Sequence, residues 1–252
     1  MKDDLIKANI NLFAILRNLE DLCELDSEIK ALANNKNLSI QFTVRNGPQG
    51  LISLNNGKCK LQRGTGRSNI KLYFKSPKHF NKMIDGRANP IILKGFTKIG
   101  FLKNEFIKMT DRLSHYLKPT ESLLKDPSYF KINTILTAYT AFFALAEIAE
   151  LDKIGKLNVK RIPDGIISIS VLNSDLSIYL TVEKGHIKVS KENSGYPRAA
   201  MIFEDIETVN LVLNDEIDTY TCIASEKLQM KGFIPMLDNM NKLLGQVPYY
   251  IK

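Results

Sequence analysis

Residues able to do chemistry are few in this chain and widely separated. The three histidines are His79, His115 and His186, and none is spaced as a metal-binding pair. The three cysteines, Cys23, Cys59 and Cys222, are odd in number and scattered. They spell neither a zinc site nor a disulfide framework, and a reducing cytoplasm is the expected compartment. No Gly-x-Ser-x-Gly elbow and no Walker loop occurs. One segment has the character of a phosphate cradle, Arg63-Gly64-Thr65-Gly66-Arg67-Ser68. Backbone amides near two glycines, flanked by two arginines, could hold an anion there. The corresponding stretch later in the chain reads Glu192-Asn193-Ser194-Gly195, so a connecting loop is the simpler account. The residues therefore assign no catalytic group, no metal and no cofactor, and the expectation is a protein that binds rather than reacts.

The elements that would position such a binder occur twice. Glu24-Leu25-Asp26 returns as Glu150-Leu151-Asp152, 126 positions on, and Gly57 returns as Gly185, 128 on. Phe74-Lys75-Ser76 answers to Phe203-Glu204-Asp205 at a shift of 129, and Gly100-Phe101 to Gly232-Phe233 at 132. A shift that drifts upward slowly is what a few loop insertions produce. The period is too long for a solenoid repeat, so each copy should own a core. The expected layout is a first domain over residues 1–118, a linker over 119–130 punctuated by Pro119 and Pro127, and a second domain over 131–252.

Composition agrees with globular domains: 44% of residues are hydrophobic and 25% charged. The Met1-Lys2-Asp3-Asp4 start lacks the basic and apolar stretches of a signal peptide. The uncharged run Ile132–Ala146 contains Asn133 and three threonines and falls short of a bilayer's thickness, which predicts a buried helix. Charge is uneven. Residues 1–125 hold 22 Lys/Arg against 11 Asp/Glu, net +11, whereas the remainder holds 13 against 16, net −3. Between residues 29 and 118 the only acids are Asp85, Glu105 and Asp111, against eighteen Lys/Arg. These basic residues are interspersed, without a recognition helix or aromatic platform, so nucleic acid is a disfavoured partner.

In the first copy, Leu5, Ile6, Leu12, Phe13, Leu16, Leu19 and Leu22 recur at helical spacing. Leu38–Val44 alternates strictly and predicts a strand. Residues 45–50 turn, 51–54 and 58–61 form a hairpin around Asn56-Gly57, and 62–69 make a loop. A strand follows over Ile70–Phe74. Ser76 then caps a helix over Pro77–Ile84, with Pro77 at its first position. A break at Asn89-Pro90 leads to an expected strand over 96–101 and a closing helix over Asn104–Tyr116. The second copy repeats the plan. Its helix covers Ile132–Leu151, its strands Ile167–Val171, Leu176–Val182, Ile187–Val189 and Met201–Phe203, and Asp205 caps a helix over Ile206–Leu213. Leu228–Gly232 is a strand and Pro235–Leu244 the closing helix. The fold class is therefore α/β (α+β), each copy a mixed sheet of about five strands covered by helices.

The pattern Phe74-x5-Phe80-x2-Met83-x2-Gly86-Arg87-Ala88-Asn89-Pro90, followed by Lys98-Ile99-Gly100, resembles the lipid-transfer branch of the sterol carrier protein family. Gly47-Pro48-x-Gly50 before an Asn-Gly hairpin also fits, and the similarity spans residues 30–117. The second copy departs from it: Asn214-Asp215-Glu216 stands where the family prefers Gly-Lys, and the Asn-Pro is absent. The resemblance implies an apolar tunnel between sheet and helices that takes fatty acids, acyl-CoA esters, sterols or isoprenoid lipids. It implies lining by Phe80, Met83, Ile84, Ile92, Phe101, Phe106, Met109 and Leu113 in the first copy. In the second, the lining would be Val209, Leu213, Met230, Phe233, Met236 and Met240. A long acyl chain at about 0.8 kcal/mol per buried methylene offers about 10 kcal/mol gross, before ordering costs. The alternatives are that these stripes fill closed cores and the pair acts as a scaffold, or that it holds a lipid intermediate for a biosynthetic complex. The basic copy could also rest on an anionic membrane.

Overall fold

Local signals in the chain start and stop nearly every element of the fold. The computed structural model describes residues 2–251, and these divide into two units that meet between Ile132 and Asn133. In unit 1 a continuous helical run comprises α1 (Lys2–Ile10), a π-helical turn (Asn11–Ile15), a 3-10 turn (Leu16–Asn18) and α2 (Leu19–Leu25). Asp26 ends it by adopting extended geometry, and its carboxylate accepts from the Glu28 and Ile29 amides to start α3 (Ser27–Ala33).

The strands β1 (Asn37–Val44), β2 (Gln49–Asn55) and β3 (Lys58–Arg63) form a meander. Then come β4 (Ile70–Phe74), α4 (Pro77–Ile84) and β5 (Ile91–Lys94). The sheet order is β3-β2-β1-β4-β5, with β1 and β4 parallel and the other pairs antiparallel. Leu38, Ile40, Phe42 and Val44 of β1 are buried on one face, as their alternation demands. Unit 1 closes with a 3-10 turn (Phe96–Lys98), α5 (Ile99–Phe101), a π turn (Leu102–Phe106) and α6 (Ile107–Leu117). The strand expected over 96–101 is thus helical. The Asn89-Pro90 break frees Ile91-Ile92-Leu93-Lys94 to pair with β4 instead, and Gly95, at φ +91, turns the chain off the sheet into the helix.

Unit 2 follows α7 (Pro127–Leu151), which starts inside the expected linker, with α8 (Lys153–Val159). Then come β6 (Gly165–Val171), β7 (Ser177–Glu183), β8 (His186–Ser190) and β9 (Ala199–Phe203). The remaining elements are α9 (Ile206–Leu213), α10 (Thr219–Ala224), β10 (Leu228–Gly232), α11 (Ile234–Leu244) and α12 (Val247–Ile251). Its strand order, β8-β7-β6-β9-β10, is that of unit 1, with β6 and β9 as the parallel pair. Helix α7 is long and apolar enough to cross a bilayer, yet 83% of its most apolar window is buried, as befits a helix hydrophobic on all sides. Helices α3, α8 and α10 escaped the periodicity reading. Each is short, and each is launched by an aspartate cap: Asp26, Asp152 and Asp218.

Candidate functional site

The repeated landmarks are structural anchors: the aspartates tie helix to helix within each unit, and the caps start the helices that follow the parallel strands. Asp26 accepts from two amides of α3 through Oδ1, while Oδ2 accepts from Arg112 Nε at 2.8 Å and the Tyr116 hydroxyl at 3.0 Å. Burial pushes the Asp26 carboxyl up, but the Arg112 guanidinium, the Ile29 amide and the Tyr116 hydroxyl outweigh it and hold the group below its ordinary value. Burial and the Asp26 carboxylate together push Tyr116 up to about 12. Asp152 repeats the device. Its Oδ1 accepts from the Ile154 and Gly155 amides at 2.8 Å, and its Oδ2 from the Tyr250 hydroxyl at 3.1 Å. Burial raises this carboxyl too, and the Gly155 amide and Tyr250 hydroxyl bring it below its usual value. Ser76 and Asp205, the matched caps, accept from the His79 and Thr208 amides.

One repeated landmark moves. Gly95-Phe96, not Gly100-Phe101, corresponds to Gly232-Phe233. Both Gly95 and Gly232 have positive φ, +91 and +79, and both leave the last strand of their sheet. A Cβ on Gly95 would come within 2.7 Å of the Asn69 carbonyl, and one on Gly232 within 2.2 Å of the Arg198 carbonyl. Asn69 and Arg198 are in each case the residue before the parallel strand. Gly100 lies inside a helix with open space around it.

The candidate lining residues divide by unit. In unit 1 five phenylalanines gather over β1 and β4. Phe42 lies 6.3 Å from Phe74, Phe80 and Phe106, Phe74 lies 4.9 Å from Phe80, and Phe101 lies 6.3 Å from Phe106. The cluster thus joins Phe80, Phe101 and Phe106 of the expected lining to Phe42 and Phe74, which the sequence reading placed only in strands. Phe80, Phe101, Met109 and Leu113 are buried, whereas Met83, Ile84, Ile92 and Phe106 are half-buried. In unit 2, Val209, Met236 and Met240 are buried, Leu213 and Met230 half-buried, and Phe233 exposed beneath the Arg198 guanidinium. Both helical runs of unit 1 carry a π turn, and no helix of unit 2 does among the described residues. Such turns hold an extra residue and often mark functional positions. The first includes buried Asn11, whose amide donates to Asn81 of α4 at 3.0 Å; Asn81 in turn donates to the Asp4 carbonyl.

The Arg63–Asn69 segment is a pinned loop. Its Gly64 amide donates to the Gln49 carbonyl and its Gly66 amide to Gln41 Oε1. Gln41 Nε2 donates to the Phe42, Gly50 and Gly64 carbonyls, and the Arg63 guanidinium lies 3.8 Å from the centre of the Phe13 ring. Two of the amides a phosphate would need are therefore engaged. His79 is a clip: Nδ1 accepts from the Lys75 amide, so Nε2 carries the proton and donates to the Asn89 carbonyl. His186 faces Glu150 at 2.7 Å, and His115 packs against Tyr116 and Tyr129. The Cys59 thiol donates to Cys23, and this bond together with burial pushes the Cys59 thiol well up. Surface concavities of 420 Å³, lined by residues 69 and 94–98, and 360 Å³, lined by residues of β7 and β8, contain none of the candidate lining residues.

No family model matches this chain, and no curated protein does. Among solved structures it is similar to a UbiJ-SCP2 ubiquinone synthesis protein, at 19% identity and a TM-score of 0.36, over 46% of this chain and 93% of that one. It is also similar to the sterol carrier protein domain 2 of Helicoverpa armigera, at 17% identity and a TM-score of 0.36, over 46% and 91% respectively. A third similarity is to the stereoselective inverting sec-alkylsulfatase Pisa1 from Pseudomonas sp., at 10% identity and a TM-score of 0.27, over 59% of this chain and 28% of that enzyme.

Proposed function

We propose that this protein binds a hydrophobic ligand reversibly and presents it without chemistry of its own, and that unit 1 is the binding unit. The observation that carries this reading is the aromatic cluster Phe42–Phe74–Phe80–Phe106–Phe101, at whose border Phe106 remains half-buried. Aromatic faces and half-buried Met83, Ile84 and Ile92 suit an acyl, sterol or isoprenoid lipid, because such a ligand needs apolar area rather than hydrogen-bond donors. Two π turns in the helical runs of unit 1 support it further, since such turns are frequent at functional sites. The residue pattern shared with lipid-transfer domains points the same way.

For unit 2 the favoured reading is a filled core that serves as a scaffold, because the single aromatic of its expected lining, Phe233, is exposed while Met236 and Met240 are fully buried. The test is native mass spectrometry of the purified chain with uptake of a fluorescent fatty acid. Retained lipid is expected, and Phe106→Gln should weaken uptake about ten-fold, the scale of one phenylalanine's apolar contact. Met240→Gln should leave the affinity unchanged in whatever protein folds. No lipid recovered and no uptake would overturn the proposal.

A further inference from the structure

The strand register places Lys58 and Lys60 of β3, Lys71 of β4 and Lys94 of β5 on one face of the unit 1 sheet, opposite the face buried by the helices. No acid shares that face among the strand residues: its other members on β1 and β2 are Asn, Ser, Gln, Thr and Leu. The matching face of unit 2 carries Glu183, and its His186 is paired with Glu150. Two of the three acids of the basic stretch pair elsewhere, Asp85 with Arg87 and Glu105 with Lys36.

At the β5 end of this face the chain exposes apolar groups. Leu93 is 50% and Phe96 65% exposed. Phe96 lines the 420 Å³ concavity with Asn69, Lys94, Gly95, Thr97 and Lys98. The corner is held in shape. Lys94 Nζ donates to the Ser68 carbonyl at 2.6 Å, Ser39 Oγ reaches the Arg67 carbonyl, and Gly95 packs its backbone against Asn69 and Ile70. A rigid turn thus presents a phenylalanine and a leucine among lysines. This is the chemistry of a membrane interface, where apolar side chains enter the acyl boundary and lysine ammoniums stay with the headgroups. A nucleic acid would use the charge but offers nothing to Leu93.

We propose that unit 1 docks on an anionic phospholipid bilayer through this corner, with Leu93 and Phe96 entering the interface and Lys94, Lys98 and Arg67 meeting headgroup phosphates. The proposal deepens the carrier reading by naming where a carrier would load. Its test reads vesicle binding alone, so it can fail while ligand uptake survives.

The experiment is co-sedimentation of the full chain with vesicles of equal parts phosphatidylcholine and phosphatidylglycerol, and with vesicles of phosphatidylcholine alone. Binding to the anionic vesicles only is expected. Lys98→Gln should lower the partition coefficient about five-fold, the worth of one lysine at an anionic surface. Phe96→Ser should lower it as well, and Lys188→Gln in unit 2 should leave it unchanged. Both unit 1 side chains are exposed, and an unaltered thermal midpoint confirms that the variants fold. Equal binding to neutral vesicles, or wild-type partition by both Lys98→Gln and Phe96→Ser, would overturn the proposal. Retention on RNA that responds to Lys98→Gln but not to Phe96→Ser, with no vesicle binding, would overturn it in favour of a polynucleotide.

Discussion

Unit 1 and unit 2 share a strand order, an aspartate that caps the short helix ahead of the sheet and a positive-φ glycine at the end of their last strand, yet they fill that frame with different material. Where unit 1 stacks phenylalanines from β1, β4, α4 and the closing helical run, unit 2 packs Ile169, Val209, Met236 and Met240. Where unit 1 breaks both helical runs with π turns, α7 and α11 run regularly. Charge follows the same division, and only unit 1 presents a lysine face without acids among its strand residues. The comparison teaches which features belong to the frame: those present twice cap helices, tie helix to helix or turn the backbone. Those present once, the phenylalanine cluster and the lysine face, are the ones the proposed binding and docking rest on.

The largest test of this division is the aspartate pair. Asp26→Ala removes a cap and the bonds from Arg112 and Tyr116, leaving Arg112 only the more distant Glu28, which should cost about 3 kcal/mol. Asp152→Ala removes a cap and one tyrosine bond and should cost about 2 kcal/mol. Urea unfolding of the two variants measures the difference, and equal losses would break the comparison. The same aspartates make stability depend on acid. Both folded carboxyls lie below the ordinary value of 3.8. Their contribution is therefore complete above that value and is lost as pH falls through it toward the folded pKa. Asp26→Asn should flatten this loss between pH 5 and pH 3, as followed by thermal midpoints.

A smaller effect checks the corrected correspondence between the units. Gly95→Ala and Gly232→Ala should each destabilise by about 2 kcal/mol, because a left-handed backbone is strained with a Cβ and that atom meets a carbonyl. Gly100→Ala should stabilise by about 0.5 kcal/mol as a helical substitution. Similar responses at Gly100 and Gly232 would restore the first alignment.

The smallest effect concerns a pair found in unit 1. The raised Cys59 thiol should alkylate slowly with iodoacetamide at pH 8, since little of it is thiolate. Cys23→Ser should quicken the labelling by removing the neighbour that disfavours the anion. An unchanged rate would show that burial alone governs Cys59.

The sequence by itself determined the elements whose limits are written in adjacent residues. The limits of β4, α4, α9 and β10 follow from Ile70–Phe74, the Ser76-Pro77 cap, the Asp205 cap and Leu228–Gly232. Caps, turns and alternation act within a few residues, so one dimension suffices to read them. The charge asymmetry was legible because it is a matter of composition, and the strands behind the shared order of the two sheets because their local signals occur twice.

Tertiary structure decided what depends on residues far apart in the chain. Alternation put Gln41 on the polar face of β1, but the 63–69 loop folds across it and leaves it 2% exposed. Gly95 was hidden because its constraint is the carbonyl of Asn69, the residue just ahead of β4, and Gly100-Phe101 spelled the same pair of letters. Phe42 and Phe74 looked like ordinary strand residues until sheet pairing set them 6.3 Å apart. Backbone hydrogen bonds and caps are local and can be spelled out, whereas a site is made of side chains that only packing brings together.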